Sequence, residues 1–206
     1  MKKLSRPSEI RNDEEIVLSV RQWVNTFVME MNLCPFAKHE MLNNRVRFAT
    51  TRAITEDQLL KSLQDELELL NSDPSVETTL LIHSNVLQDF YDYNQFLSNA
   101  DNLLLEMGLE GTYQIASFHP DYQFGGTNPD DAENYTNRSP YPLLHLIREA
   151  SLERAIVEYP DVDQVPIRNV ALMNSLRAYL SCREQYYFRD KSVSQLKNSI
   201  EVHITC

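Results

Sequence analysis

The chain has 206 residues, of which 42% are hydrophobic, and this is enough to build one sizeable core. Its formal net charge is -11 and its pI is about 4.9, so a nucleic-acid backbone or an anionic membrane would be repelled over most of the surface. These totals disfavour nucleic-acid and membrane partners, and they predict a single domain over residues 1–206.

The cysteines and the N-terminus indicate the compartment. Three widely spaced cysteines, Cys34, Cys182 and Cys206, form neither a disulfide framework nor a paired zinc-binding pattern. The first residues include two lysines but turn polar and acidic where a signal peptide would be apolar. No stretch approaches the roughly 20 apolar residues of a membrane span. We therefore expect a soluble, cytoplasmic protein.

The first part of the chain alternates between helical and strand periodicity. Residues 1–12 are expected to be a loose lead-in. Apolar residues over 16–31 have the spacing of an amphipathic helix, which Asn12 or Asp13 would cap and Pro35 would end. The elements predicted next are a strand over 45–51, a helix over 55–70 capped by Thr55, a strand over 78–83, a helix over 87–107 and a strand over 113–118.

A long loop follows the third predicted strand. The stretch 117–149, which we expect to hold the functional site, contains two of the four glycines and four of the nine prolines. Loops longer than about 12 residues are usually functional or disordered, and the aromatic content of this one disfavours disorder. The elements predicted after it are a helix over 139–159 capped by Ser139, a helix over 167–187, and an edge strand or frayed tail over 190–206.

The order of these elements predicts an α/β fold. Strands separated by helices pair in parallel through crossovers, so we expect a small, mostly parallel sheet of three or four strands flanked by about five helices. Residues that follow the three strands, including Thr51, His83 and His119, would then share the carboxyl edge of the sheet. Ligands bind at that edge in open α/β sheets.

An imidazole and several carboxylates meet in the long loop. His119, Asp121, Asp130 and Asp131 can supply a general base with an orienting acid, or ligands for a divalent metal. Their spacing is not a recognised metal signature. The alternative is a His-Pro-Asp turn in which the aspartates cap a short helical turn. The position of His119 at the end of a strand favours a catalytic role for it.

Arg138 is the candidate anion-binding residue. It lies before the predicted helix start, where backbone N–H groups and the helix dipole attract anions, and Asn137 and Ser139 are its neighbours. Pro140 and Pro142 each remove an N–H group, so side chains would do most of the binding. The alternative is a rigid helix start with Arg138 in a structural ion pair.

The charged residues of the helix predicted over 139–159 fall on two different faces. His145, Arg148 and Glu149 fall on the face opposite the core, where an ordinary solvated surface is expected. Arg154 falls close to the apolar stripe. Because a buried arginine needs a partner, we expect Arg154 to hold a carboxylate, preferably one from the protein.

Cys34 is the remaining candidate. A cysteine before proline and phenylalanine can be a redox thiol, a nucleophile or a thiolate ligand for haem iron. Here Ala37 stands where glutaredoxin-like proteins have a second cysteine, and the end of a helix disfavours a thiolate. A buried, inert cysteine is the simplest expectation, and a nucleophile is the alternative.

Three segments resemble a known family. NLCPFA, FHPDYQF and NYTNRSPYPLLHLIREAS are similar to segments of an uncharacterised bacterial family, domain of unknown function family 1415. The likeness extends from the first helix to residues 165–169. It implies a small, single-domain cytoplasmic protein and supplies no activity, substrate or cofactor.

Two functions therefore stay open. The leading hypothesis is an enzyme acting on a small anionic molecule, with His119 as acid/base, Asp121 or Asp131 orienting it, and Arg138 holding the anion. The alternative is a non-catalytic protein that binds a ligand, haem or a partner through the aromatic loop. The further ligand-contacting candidates are His83, Tyr122, Phe124, Tyr135 and Tyr141. A third possibility is that the loop is a structural cover over the sheet edge.

Overall fold

The computed structural model describes residues 12–159 and 161–181. Expectations for the lead-in, for the last turns of the helix predicted to reach residue 187, for the tail and for Cys182 and Cys206 lie outside these residues. No helix within the described ranges is both long and apolar enough to cross a membrane.

The described part of the chain contains six α-helices. A π-helical turn, Val24–Met29, continues α1, and short 3-10 helices cover Ala132–Asn137 and Val162–Gln164. The α-helices are α1 Asp13–Trp23, α2 Ala37–Leu42, α3 Glu56–Ser72, α4 Phe90–Glu106, α5 Glu149–Glu158 and α6 Val165–Ser181. Asn12 caps α1 and Thr55 caps α3, as predicted, because each side chain accepts a hydrogen bond from a backbone N–H of the first turn.

Four strands form one sheet in the order β1-β2-β4-β3. They are β1 Val46–Thr50, β2 Thr78–Ile82, β3 Tyr113–Phe118 and β4 Leu143–Arg148. β1 and β2 are parallel, and β4 is antiparallel to both of its neighbours, β2 and β3. β1, β2 and β3 therefore point the same way. The α/β class is confirmed, but the sheet is mixed, so the predicted mostly parallel sheet is wrong.

The cause of this error is β4. Its sequence, LLHLIR, was assigned to a helix because Leu143, Ile147 and Ala150 share a helical stripe. In the structure Leu144 and Leu146 face α3 and α4, while Leu143 faces α1, so the strand is apolar on both sides. A strand buried on both faces is a continuous apolar run, which periodicity alone does not distinguish from a helix. The helix therefore begins only at α5.

Two hydrophobic layers cover the two faces of the sheet. The larger one joins α3 and α4 to the sheet through fully buried residues such as Leu63, Phe96 and Leu144. The second one places Ile16 and Val20 of α1 on Leu80. A third cluster joins α6 and the turn at Leu33 to the 3-10 helix of the long loop. Burial of these side chains is the main stabilising contribution to the fold.

Residues predicted to lie on a solvated helix face have other positions. Burial lowers the pKa of His145 in β4 to about 4, and its Nε2 lies 2.7 Å from Thr78 Oγ1. Arg148 donates hydrogen bonds to the carbonyl of Leu70 in the last turn of α3 and to that of Val76 in the connection to β2. The solvated face predicted for His145 and Arg148 is therefore wrong, because strand geometry directs both into contacts with neighbouring elements.

Glu77 is the protein carboxylate that Arg154 holds. Arg154 Nη2 lies 3.2 Å from Glu77 Oε1, and Arg45 contacts the other carboxylate oxygen. The Glu77 side chain is 5% exposed, so its charge needs these partners. The partner agrees with the preference for a carboxylate from the protein, but Arg154 itself is 63% exposed, so the predicted burial of this arginine is wrong.

Tyr93 of α4 fastens the helix to the sheet. Its hydroxyl donates to the Leu143 carbonyl at 2.8 Å and accepts from the Phe118 N–H at 3.0 Å. The side chain is fully buried, and burial raises the pKa of the phenol well above its usual range. One hydroxyl therefore satisfies backbone groups of β3 and β4 where the two strands meet the long loop.

We predict that Tyr93→Phe destabilises the fold by about 1–3 kcal/mol, because it leaves a buried carbonyl and a backbone N–H without their partner. The measurement is the free energy of unfolding in urea. Tyr91→Phe is the matched control, since Tyr91 lies on the same helix and is 70% exposed. Equal effects of the two substitutions would contradict the role assigned to the Tyr93 hydroxyl.

Candidate functional site

The ends of β2 and β3 place two histidines at the carboxyl edge of the sheet. His83 directly follows β2, and His119 directly follows β3. The His83 N–H donates to the Pro142 carbonyl at 3.1 Å, so this histidine lies beside the start of β4. Because β2 and β3 are both antiparallel to β4, their exits share one edge, as predicted for His83 and His119.

His119 is fully buried and bonded on one side of its ring only. Its Nδ1 accepts a hydrogen bond from the Asp121 N–H at 3.0 Å. Its Nε2 has no hydrogen-bond partner within residues 12–159 and 161–181. Burial lowers the pKa of His119, and the nearby backbone of Leu87 and the charge of Asp121 offset part of this effect. The neutral imidazole is therefore favoured.

His83 is also fully buried, with the opposite arrangement of bonds. Its Nδ1 lies 3.0 Å from the Val86 carbonyl, and its Nε2 has no hydrogen-bond partner among the described residues. Burial lowers the pKa of His83 to about 4, and a charge on His119 would lower it further. Buried polar atoms without partners are rare in proteins, so two at one sheet edge are unusual.

Aromatic rings enclose the two imidazoles. Tyr93 contacts both of them, with ring centroids 5.6 Å from His83 and 5.2 Å from His119. The ring centroid of Phe90, the first residue of α4, lies 5.4 Å from that of His119 and 5.1 Å from that of Tyr122 in the long loop. The surroundings are therefore largely apolar, and this strengthens any hydrogen bond formed inside the site.

The turn between β2 and α4 is strained beside these rings. Leu87 has a φ of 54°, in the left-handed region that branched apolar residues rarely adopt. The Gln88 side chain donates to the carbonyls of His83 and Val86, at 3.3 and 3.2 Å. Such strain costs on the order of 1 kcal/mol or more and is frequent at functional sites.

Asn134 holds the long loop together from inside. It is fully buried, and its Oδ1 accepts from the Phe124 N–H at 2.9 Å and from Thr127 Oγ1 at 2.8 Å. Its Nδ2 donates to the carbonyls of Asn128 and Pro129, at 2.7 and 3.3 Å. The whole hydrogen-bonding capacity of one amide is used to close the loop on itself.

Arg138 lies beside His119 but is largely engaged by the loop. The backbone N–H of His119 donates to the Asn137 carbonyl at 3.2 Å, so the two segments run side by side. Arg138 Nε and Nη2 donate to the carbonyls of Tyr122 and Pro129, at 3.2 and 2.6 Å. Its guanidinium lies 4.3 Å from the centroid of the Tyr135 ring. Nη1 is the nitrogen that neither carbonyl uses.

The helix start predicted beside Arg138 does not exist, because residues 138–142 are neither helix nor strand and β4 begins at Leu143. The Ser139 hydroxyl donates to the Tyr141 carbonyl at 2.6 Å instead of capping a helix. The Asn137 amide donates to the Ser117 carbonyl at 3.1 Å. An anion at this place would therefore lack the dipole and the free N–H groups of a helix.

Of the predicted aspartates, Asp121 is the one next to His119. It is exposed, and it holds the imidazole through its backbone N–H. Asp131 accepts from the Asn128 N–H at 2.7 Å and closes a turn of the loop, while Asp130 is exposed. Asp131 precedes the 3-10 helix but its side chain makes no capping bond to it, so the predicted helix cap is not formed.

Cys34 lies in the turn between the π-helical segment and α2. Burial raises the pKa of its thiol, so the thiolate is disfavoured. The turn is held by α6, where the Asn169 side chain donates to the Leu33 carbonyl at 2.8 Å. Leu33 also packs in the cluster that contains Tyr135 of the long loop.

Tyr93, Phe90 and Asn134 were missed from the sequence. Tyr93 lies within the helix predicted over 87–107, and nothing in the sequence distinguishes its hydroxyl from that of Tyr91. Asn134 is one of several asparagines in the loop, and only the fold distinguishes it. The strain at Leu87 has no signal in the sequence.

The fold and site define an α/β protein in which a four-stranded mixed sheet presents two buried histidines beneath a long, self-bonded loop. Residues 15–180 match a family model described as a protein of unknown function, DUF1415. The match covers most of the chain, so the chain belongs to this family. Comparisons with curated proteins and with solved structures give no match.

We predict that acid destabilises the protein through His83. Its pKa of about 4 lies below the value of about 6.5 expected in the unfolded chain, so the unfolded chain binds the proton first. Stability should fall as the pH drops from about 6.5 towards about 4, by on the order of 1–2 kcal/mol at about pH 5, and should be unaffected by this group above about 6.5.

The measurement is the free energy of unfolding against pH. His83→Asn, whose amide can still donate to the Val86 carbonyl, should reduce the slope. His39→Asn is the control, because the His39 side chain is 70% exposed. A slope unchanged by His83→Asn would contradict the assignment.

We also predict that Asn134→Ala opens the long loop without unfolding the sheet. The substitution leaves buried backbone groups unpaired, which costs about 1–3 kcal/mol locally. Amide hydrogen exchange should accelerate over residues 119–139 and stay slow in β2 and β4. Asn102→Ala, an exposed position on α4, should change neither. Uniform acceleration throughout the sheet would show that Asn134 supports the entire fold.

Proposed function

We propose that this protein is an enzyme that performs acid/base chemistry on a small anionic molecule at the carboxyl edge of its sheet, with His119 as the principal group. The observation that supports this most is the His119 ring, which is buried, held at Nδ1 by the Asp121 N–H, and unpaired at Nε2 among the described residues. A ligand is the natural partner for that atom.

The cost of this arrangement favours function over structure. A buried polar atom without a partner costs about 1–3 kcal/mol, and an apolar side chain of similar size would avoid the cost. Asp121 orients the ring through its backbone, and its carboxylate favours the charged imidazole. The fixed orientation of the ring is useful in a group that takes part in acid/base chemistry through Nε2.

Arg138 is the residue that supports an anionic substrate. Arg138 is next to the His119 segment, and its Nη1 can donate to one oxygen of a carboxylate or phosphate. Its other two nitrogens hold the loop, so a bidentate clamp would require them to leave the Tyr122 and Pro129 carbonyls. A single oxygen contact therefore fits this geometry better.

A binding protein without catalysis is the second candidate. The contacts of Phe90 with Tyr122, and of Tyr122 with Phe124 at 4.9 Å, make an aromatic wall that could hold a flat ligand. Haem ligation by Cys34 is disfavoured, since burial favours its thiol form. A Soret absorption that Cys34→Ala abolishes would nevertheless favour the haem alternative.

We predict that His119→Asn removes turnover and preserves the fold. The asparagine Oδ1 can still accept the Asp121 N–H, whereas the Nε2 position is lost. Small carboxylates and phosphate esters are first screened for ligands that raise the melting temperature of the wild-type protein. These ligands are then tested for conversion, which should fall by about 10²- to 10⁴-fold in the variant.

The melting temperature of His119→Asn should stay close to that of the wild-type protein, and binding should persist. His39→Asn, at an exposed position, should retain full turnover. A large loss of stability in His119→Asn, or conversion unaffected by it, would contradict a catalytic His119. Binding without conversion in the wild-type protein would favour the second candidate.

A further inference from the structure

The roles of His83 and His119 follow from the bonds at their Nδ1 atoms. A carbonyl only accepts hydrogen bonds, so the Val86 carbonyl requires a hydrogen on His83 Nδ1. A backbone N–H only donates, so the Asp121 N–H requires a lone pair on His119 Nδ1. In their neutral forms the two rings are therefore opposite tautomers.

We infer that His83 Nε2 is the proton acceptor of this site and that His119 Nε2–H is the hydrogen-bond donor that stabilises the charge formed on the substrate. This inference rests on the proposed function and revises the roles within it, because His83 takes up the proton and His119 stabilises the charge. It makes His83 a second catalytic residue, where the sequence placed it only among ligand-contacting candidates. Both nitrogens are unpaired in the described part of the chain.

The proton balance of such a step is simple. A proton leaves the substrate for the lone pair of His83 Nε2, and the resulting imidazolium keeps its Nδ1–H bond to the Val86 carbonyl. The electron pair left behind moves onto a substrate oxygen, which accepts the hydrogen bond from His119 Nε2. The proton then returns from His83 to the product. No oxidant or reductant is needed.

This arrangement indicates a class of substrate. The molecule must have an acidic hydrogen next to a carbonyl or carboxyl group, because the charge must be delocalised onto an oxygen. An anionic molecule also suits His83, since a negative charge nearby favours protonation of an imidazole in apolar surroundings. Proton abstraction from a small keto or hydroxy acid, as in an isomerisation, fits both conditions.

The same tautomers disfavour a metal held by both rings. His83 has the arrangement of a metal ligand, with Nδ1–H on a backbone carbonyl and a lone pair at Nε2. His119 does not, because the Asp121 N–H requires the lone pair to be at Nδ1. Ligation through His119 Nε2 would need the loss of that bond.

The test is direct observation of both tautomers. Long-range proton–nitrogen correlation spectra of the ¹⁵N-labelled protein near pH 7 distinguish a protonated ring nitrogen from one with a lone pair. His83→Asn and His119→Asn assign the signals. We expect the hydrogen on Nδ1 of His83 and on Nε2 of His119. The same tautomer in both rings, or a doubly protonated ring in either, would overturn the inference.

Co²⁺ is the second probe, because its visible absorption reports nitrogen ligation. We expect no absorption band that depends on both histidines. A band lost in His83→Asn and also in His119→Asn would overturn the donor and acceptor assignment in favour of a shared metal site. Failure of the tautomer test leaves the His119→Asn turnover experiment unaffected, so this inference and the proposed function fail separately.

Discussion

The insertion of β4 between β2 and β3 is the constraint on which the structure depends. Leu143 is paired with Ile82 of β2 on one side and with Phe118 of β3 on the other. Antiparallel neighbours can be joined by a two-residue turn, so the long segment between β3 and β4 is not required by the topology. Its length is instead used to cover the carboxyl edge of the sheet, where its bonds close it on itself.

The same strand explains why two histidines at this edge are buried. β4 starts between them, its Pro142 carbonyl accepts the His83 N–H, and its Leu143 carbonyl accepts the Tyr93 hydroxyl. Tyr93 is thereby fixed in contact with both imidazoles. The stability of the large layer beneath α3 and α4 offsets the cost of two polar nitrogens that are unpaired in residues 12–159 and 161–181. The site is thus supported by the core rather than separate from it.

Much of the fold was predictable from the sequence wherever the local residue pattern determines the secondary structure. The helices α3 and α4, the caps Asn12 and Thr55, and the first three strands follow from periodicity and end signals. The common edge of His83 and His119 followed from them. β4 was not predictable in this way, because its short run of six residues, four of them apolar, fits either a strand or a helix until both faces are seen to be covered. The functions of Arg138 and Asn134 depend on carbonyls that only the folded loop brings near.

The burial that lowers the pKa values of the two imidazoles also sets a condition on the proposed substrate. His83 and His119 are fully buried, and Phe90 contacts both His119 and Tyr122 of the loop. Under the proposed function, a molecule that approaches His119 from the side of Phe90 would have to displace this ring and replace its apolar contacts. A small molecule loses little in doing so, whereas a chain or a large ring would have to open the loop that Asn134 closes. The enclosure that favours neutral imidazoles would therefore also select for size, and it links the proposed chemistry to the packing of the loop.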